Sequence, residues 1–163
     1  MIKLIAAVGK NREIGKRGML IWQLKGDMAF FKTQTMGHVI VMGANTFRSL
    51  PKKLPNRIHY VLTTGSISAK EDINVKVFSN LGKLYEEVKE LAKTQDVFVV
   101  GGENIYSLFI DLADEILLTE IDAEDGCADV FFPRFKKTKY TRRVLSSNEE
   151  KGIKYAHVRY TRK

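Results

Sequence analysis

Six short runs rich in valine and isoleucine, at residues 2–8, 38–42, 58–63, 74–78, 96–100 and 115–121, alternate along the chain with longer amphipathic segments. This alternation limits the possible folds more than any other feature. Continuous apolar runs of this length suit strands covered on both faces, as in a parallel sheet. Leu81, Leu84, Tyr85, Val88, Leu91 and Ala92 recur at helical spacing, with Glu86, Glu87, Lys89 and Glu90 opposite them and Asn80 in the place of an N-cap. Leu24, Met28 and Phe31 mark a second helical face, and Ile105, Leu108, Phe109 and Leu112 a third. The pattern changes at the end, where 139–146 and 153–162 flank a polar turn closing at Gly152, as in an antiparallel hairpin. An α/β fold follows, its sheet mostly parallel with an antiparallel edge. No repeat, linker or low-complexity stretch intervenes, so residues 1–163 are expected to form one domain.

Composition narrows the setting. No apolar run approaches the ~20 residues of a membrane span, and no apolar core of a secretory leader opens the chain. A single cysteine, Cys127, rules out an internal disulfide and fits a reducing cytoplasm. Lysine and arginine number 27 against 19 acids, a net charge of +8 that attracts polyanions of any kind. The densest stretch holds Arg134, Lys136, Lys137, Lys139, Arg142 and Arg143 with no acid between them. It reads either as a solvated strand with its approach loop or as a polyanion surface. No helix-turn-helix, zinc or RNP pattern accompanies it, so the charge identifies no partner.

Four constellations have the makings of chemistry. Two strand–glycine–helix junctions occur, one at Gly43 and one at Gly101-Gly102. Glycine there lets the backbone turn and a ligand approach closely, and the helix that follows aims free N–H groups and a positive dipole end forward. Side by side, two such junctions suit the two phosphates of a dinucleotide; each alone also fits an ordinary tight connection, and no full G-x-G-x-x-G is present. Asp27 shares a helical face with Met28 and Phe31. It is either a first-turn acid at the rim, or a buried acid for proton transfer or for binding an amidine-like edge. The segment 48–57, stiffened by Pro51 and Pro55 and ending at Arg57, is a surface loop or a cover presenting a guanidinium to an anion. Residues 9–23, with Gly9, Gly15, Gly18 and the only tryptophan, Trp22, lack periodicity and read as a lid or binding loop. His38, His59, His157 and Cys127 show no metal-ligand or nucleophile spacing; they are read as structural, and no metal site is expected.

Taken in order, these features resemble bacterial dihydrofolate reductases over nearly the whole chain. The likeness rests on Ile2-Lys-Leu-Ile-Ala-Ala, Ile14-Gly15, Trp22-Gln-Leu-Lys-Gly-Asp27-Met-Ala-Phe-Phe31, Val41-Met-Gly43-Ala-Asn-Thr46-Phe, Leu54-Pro-Asn-Arg57, Gly101-Gly102 with Tyr106, and Leu118-Thr119. The resemblance implies an eight-stranded sheet flanked by four helices, in a cytoplasmic monomer that serves one-carbon metabolism and is a target of antifolates. It implies hydride transfer from NADPH to pterin C6 of 7,8-dihydrofolate, with protonation at N5, to give tetrahydrofolate. Asp27 matches the acid that binds the pterin 2-amino group and N3, Thr119 the hydroxyl that supports it, and Trp22 the neighbour of the water that relays a proton to N5. Ile5, Ala7, Met28, Phe31, Leu50, Leu54 and Val100 match the substrate pocket, and Arg57 the clamp on the glutamate tail. Gly43, Asn45, Thr46, Gly101, Gly102, Asn104 and Ile105 match the phosphate junctions, with the two glycines joined by a cis peptide. Ala7, Ile14, Gly15, Leu20 and Tyr106 match the nicotinamide surroundings, and Thr63 and Thr64 the neighbourhood of the adenosine 2′-phosphate.

Some positions depart from the family pattern. Ile21 replaces a proline before the tryptophan, which is expected to alter loop closure or antifolate binding. Ala44 and Asn104 stand where arginines commonly read the 2′-phosphate, and Glu103 adds a negative charge at the second junction. Two other readings remain: a pyrimidine reductase of riboflavin synthesis, which would not need Asp27, Trp22 and Arg57 together, and a non-catalytic basic domain that binds nucleic acid.

Overall fold

The computed structural model describes residues 1–65 and 73–163. Each of the six apolar runs forms a strand: β1 (Ile2–Val8), β4 (Val39–Gly43), β5 (Ile58–Leu62), β6 (Val75–Phe78), β7 (Val97–Gly101) and β8 (Glu115–Ile121). Between and beyond them lie β2 (Glu13–Lys16), β3 (Met19–Leu20), β9 (Val130–Phe131), β10 (Tyr140–Glu150) and β11 (Ile153–Arg162). The helices are α1 (Lys25–Thr35), α2 (Ala44–Ser49), α3 (Leu81–Leu91) and α4 (Glu103–Phe109). The main sheet runs β10-β11-β8-β1-β7-β4-β5-β6 and is parallel from β8 to β6, with β11 and β10 added antiparallel at the edge. Among the described residues no helix is long and apolar enough to cross a membrane.

Alternation along each strand explains why these runs are apolar throughout. Successive side chains point to opposite faces of a sheet. Leu4, Val41, Val99 and Ile116 pack on one side with Leu84 and Val88 of α3 and Phe109 of α4. Ile5, Ile40, Met42, Phe98 and Leu117 pack on the other. The second side is less completely closed, because the residues that cover it (Phe30, Phe31, Phe47, Leu50 and Leu54) are themselves only partly buried. Apolar surface is therefore left open beside α1 and the 50–54 segment, as in the wall of a cleft. Within α1 the face expected to be apolar is therefore a cleft wall and not core: Met28 stays 61% exposed, Phe31 is half-buried, and Leu24 packs separately with Ile121 and Tyr155.

Two segments differ from the sequence reading. The first arm of the hairpin was expected to stop at 146, yet β10 continues to Glu150 and pairs there with Ile153 across a turn at Lys151 and Gly152, both at positive φ. A polar, exposed edge strand carries no hydrophobic alternation, so its pairing is silent in the sequence. Residues 9–23 are likewise not irregular throughout. β2 pairs with β3 and β9 in a second small sheet. Strands of two to four residues are too short to show a period.

The extra length of β10 has a structural consequence. Leu24, the N-cap of α1, offers no side-chain acceptor to the first helical N–H groups. Glu150 supplies it instead, its Oε2 accepting from Lys25 N at 2.7 Å and its Oε1 from Gly26 N at 3.3 Å. The next strand adds a steric constraint, since a methyl group placed on Gly26 would lie 2.2 Å from the Tyr155 hydroxyl. Gly→Ala inside a helix ordinarily stabilises by up to about 1 kcal/mol. Here Gly26→Ala should destabilise, by about 1–3 kcal/mol from the overlap with the buried phenol. Chemical denaturation of Gly26→Ala, Tyr155→Phe and the double variant checks this. In the double variant most of the loss should be recovered; equal loss with and without the hydroxyl would disprove the contact.

Candidate active site

The start of α1 places Asp27 over the sheet. Beneath it, Ala7 of β1, Thr119 of β8 and His157 of β11 stand in register as one row across three strands. Thr119 Oγ1 donates to Asp27 Oδ1 at 2.5 Å and lies 2.9 Å from His157 Nδ1. The His157 ring stacks on Phe30 with centroids 3.9 Å apart and planes 14° apart. Burial raises the Asp27 proton affinity above the usual carboxylate range, opposed in part by the Thr119 bond and by His157. Features of both readings left open for this residue are present: it is an acid in the first turn of α1, and it is partly buried. The Asp27 side chain is only 20% exposed.

Asp27 lies in the first turn of α1 and Arg57 is bound to Thr35 at the end of the same helix. Ile5 belongs to the buried cluster on this side of the sheet, with Phe31, Leu50, Leu54 and Val100 partly buried against it. Ala7 lies with Trp22 and Leu24 at the other end. Arg57 is 4% exposed, its Nε donating to Pro55 O at 3.0 Å and a terminal nitrogen to Thr35 Oγ1 at 3.1 Å. Both partners are uncharged, so they aim the guanidinium without neutralising it. His59 holds the intervening segment to the sheet, its Nε2 accepting from Leu54 N at 3.0 Å.

The two glycine junctions meet across neighbouring strands, since Met42 of β4 pairs with Gly101 of β7. Gly43 and Gly102 are the N-caps of α2 and α4, and neither helix start has a side-chain cap. The Gly101–Gly102 peptide is cis and Gly101 has a φ of 134°. Methyl groups placed on Gly101 and Gly102 would lie 3.4 and 3.5 Å from Thr46 Oγ1, and one on Gly43 would lie 3.5 Å from Ile105. This bare, N–H-lined floor fits a diphosphate-bearing cofactor. Asn45, Glu103 and Asn104 are exposed at its rim. Tyr106 is buried and donates to Ile5 O at 2.7 Å, binding α4 to the central strand; burial, then the charge of Asp27, raises its phenol. Thr63 does not offer its hydroxyl outward, because that group donates to Gly65 O and accepts from Gly65 N. Thr64 is exposed.

The 9–23 segment packs beside these residues, with Ile14 in the same buried cluster as Ile105 and Tyr106. Ile14 and Gly15 are buried on β2, whereas Leu20 on β3 is 62% exposed. Glu13, 1% exposed, was not singled out from the sequence. Its Oε1 accepts from Asn11 N at 2.6 Å and its Oε2 from Asp125 N at 2.8 Å, fastening the segment to residues 123–125. Gly9 lets Trp22 approach, since a methyl there would lie 2.5 Å from the indole and 2.6 Å from Glu13 Oε1. Glu150 and His157 are two further polar groups near Asp27, one capping its helix and one bonded to Thr119. The only signal each offered was a polar side chain in or beside a strand.

Comparison with known proteins agrees with this geometry. A family model described as dihydrofolate reductase matches residues 1–162. The chain is 35% identical over 155 residues to the dihydrofolate reductase of Bacillus subtilis (strain 168), covering 94% of this chain and 86% of that one. It is 34% identical over 168 residues to the enzyme of Neisseria meningitidis serogroup B (strain ATCC BAA-335 / MC58), covering 99% and 98%. Dihydrofolate reductase type 15 of Escherichia coli is 33% identical over 156 residues, covering 96% and 95%.

The raised proton affinity of Asp27 makes a stability prediction. Between the usual carboxylate value and the raised one, the folded chain binds more protons than the unfolded chain. Stability therefore falls as pH rises through that window and stays lower above it. Asp27→Asn should be at least as resistant to thermal unfolding as the unsubstituted protein at neutral pH, with the gap closing below about pH 4. A gap that is constant across pH would show that the charge is not the cause.

Proposed function

The chain belongs to the dihydrofolate reductase family, enzymes that act on a small molecule with a nicotinamide cofactor, and on that premise we propose that it reduces 7,8-dihydrofolate to tetrahydrofolate with NADPH. The observation that carries this reading is Asp27. A carboxylate at the end of an apolar cleft needs a partner with two parallel N–H donors, and the pterin 2-amino–N3 edge has that form.

Ile5, Ala7, Met28, Phe31, Leu50, Leu54 and Val100 hold the pterin and benzoyl rings, and Arg57 receives the carboxylate of the glutamate tail, where a planar guanidinium outperforms a lysine. Thr119 fixes the orientation of Asp27, so that the acid selects one face and one edge of the ring. With the edge bound, Asp27 favours the proton-accepting form of the pterin at N5, and a water beside Trp22 delivers the proton that Asp27 cannot reach to give. Protonation at N5 makes C6 electron-poor, and the N5=C6 bond becomes single as N5 gains a proton and C6 a hydride. The bound nicotinamide supplies that hydride. Gly43, Asn45, Thr46, Gly101, Gly102, Asn104 and Ile105 would hold the phosphates, and Ala7, Ile14, Gly15, Leu20 and Tyr106 would surround the nicotinamide. The adenosine 2′-phosphate is read near Thr64, without help from the internally bonded Thr63 hydroxyl. With Ala44 and Asn104 in place of arginines, the preference for NADPH over NADH is narrow. We assign the reaction to one-carbon metabolism in the cytoplasm, carried out by a monomer that antifolates inhibit at the Asp27 end of the cleft.

Loss of reduced-nicotinamide absorbance on adding dihydrofolate, with NADPH and NADH in parallel, tests the reaction and the cofactor together. NADPH should give the higher kcat/KM; no turnover with either would overturn the reading. Asp27→Asn should lower kcat/KM by about 10²-fold or more at neutral pH while leaving cofactor affinity within a few-fold. Near-normal turnover in that variant would remove the acid from the mechanism.

A further inference from the structure

The chain of hydrogen bonds from Asp27 does not end at Thr119. His157, 5% exposed, places Nδ1 at 2.9 Å from Thr119 Oγ1 and 3.9 Å from Asp27 Oδ1. Its ring cannot turn freely between Phe30, stacked at 3.9 Å, and the edge of Tyr155 at 5.6 Å. A threonine hydroxyl has one hydrogen to donate and lone pairs to accept. While Asp27 is ionised its oxygens only accept, so the Thr119 hydrogen points to Asp27 and the second contact requires a hydrogen on Nδ1. Once Asp27 is protonated the polarity can reverse: carboxyl O–H to Thr119, and Thr119 O–H to a bare Nδ1, with the imidazole hydrogen on Nε2. Both protonation states of the acid thus find a matching state of the ring.

We propose that His157 is a positioning residue for Asp27: it holds the Thr119 hydroxyl on the carboxylate and sets the pH at which that carboxylate takes up its proton. This rests on Asp27 being the acid of the reaction. Burial lowers the His157 proton affinity while Asp27 opposes that fall, and burial raises that of Asp27, so the two titrations are drawn together and belong to the pair. Other ionisable groups around the pair are engaged elsewhere or lie further along their elements. Glu120 on β8 is bound to Arg142 and Tyr160; Glu150 at the end of β10 caps α1 at Lys25 and Gly26. Tyr155 and Arg159 are two residues either side of His157 on β11, and Tyr106 donates to Ile5 O. Ser146 is the β10 residue opposite His157. Asp27 is the charged group that acts on the ring.

His157→Phe keeps an aromatic ring against Phe30 and removes both nitrogens; His157→Gln keeps a donor for Thr119 but cannot be charged. The pH profile of kcat/KM for dihydrofolate should move upward by about half a unit or more in His157→Phe, because the carboxylate loses the donor chain that runs through Thr119. His157→Gln should recover part of that shift, and recovery of none would overturn the donor role. A merely structural histidine would change stability or KM and leave the midpoint in place, and superimposable profiles would overturn the proposal. Nitrogen-15 NMR of the unsubstituted protein gives a second readout that does not depend on the variants folding. At a pH well above the Asp27 midpoint the His157 hydrogen should be on Nδ1; its presence on Nε2, with Nδ1 bare, while Asp27 is ionised would overturn the proposal. Absence of any dihydrofolate reduction by the unsubstituted protein would instead overturn the functional reading, leaving the NMR result to judge the hydrogen-bond chain.

Discussion

The candidate site is organised around a carboxylate with restricted access to water. Asp27 sits at the first turn of α1, above Thr119 and beside a cleft lined by half-buried apolar side chains. Such a group is costly unless its neighbours define where it points and what it can bind. Most of the unusual features nearby serve that requirement. Glu150 caps the helix that carries the acid, Gly26 lets the helix sit against Tyr155, and the Ala7–Thr119–His157 row forms a floor of matched height across three strands.

The two faces of the sheet divide the labour. On one, α3 and α4 seal the strands with fully buried side chains such as Leu84, Val88 and Phe109. On the other, α1, α2 and the 50–54 segment leave their apolar residues half-covered. The sealed face carries most of the buried core, and the open face leaves apolar side chains half-covered beside the helix that bears Asp27. A phosphate-compatible floor at Gly43 and Gly101–Gly102 lies at the carboxyl ends of β4 and β7, where open α/β sheets commonly place ligands.

Local pattern made much of this legible in the sequence. The six apolar runs announced the parallel strands because burial on both faces leaves no polar residue to interrupt them. The glycine junctions, Asp27 and Arg57 could be singled out because each breaks a local rule in a way that chemistry explains. What escaped notice depends on partners distant in sequence. Glu150 is an ordinary acid in a polar arm until β10 folds back on α1, and Glu13 is one more charge in a loop until Asn11 and Asp125 surround it. Nothing next to His157 in sequence says that Thr119 is its neighbour on the next strand. The partly exposed Met28 shows the converse: helical spacing alone does not distinguish a core face from the wall of a cleft.

The contribution of β10 and β11 to the acid's surroundings bears on how the molecule is made. Glu150, Tyr155 and His157 are all downstream of the strands that build the cleft. A nascent chain that has emerged through β8 already carries the apolar walls and both glycine junctions, but its first helix is uncapped and Thr119 lacks its imidazole. Pairing of the closing hairpin is thus the step that adds the cap of α1 and the imidazole beside Thr119 to an acid and a hydroxyl that precede it in the chain.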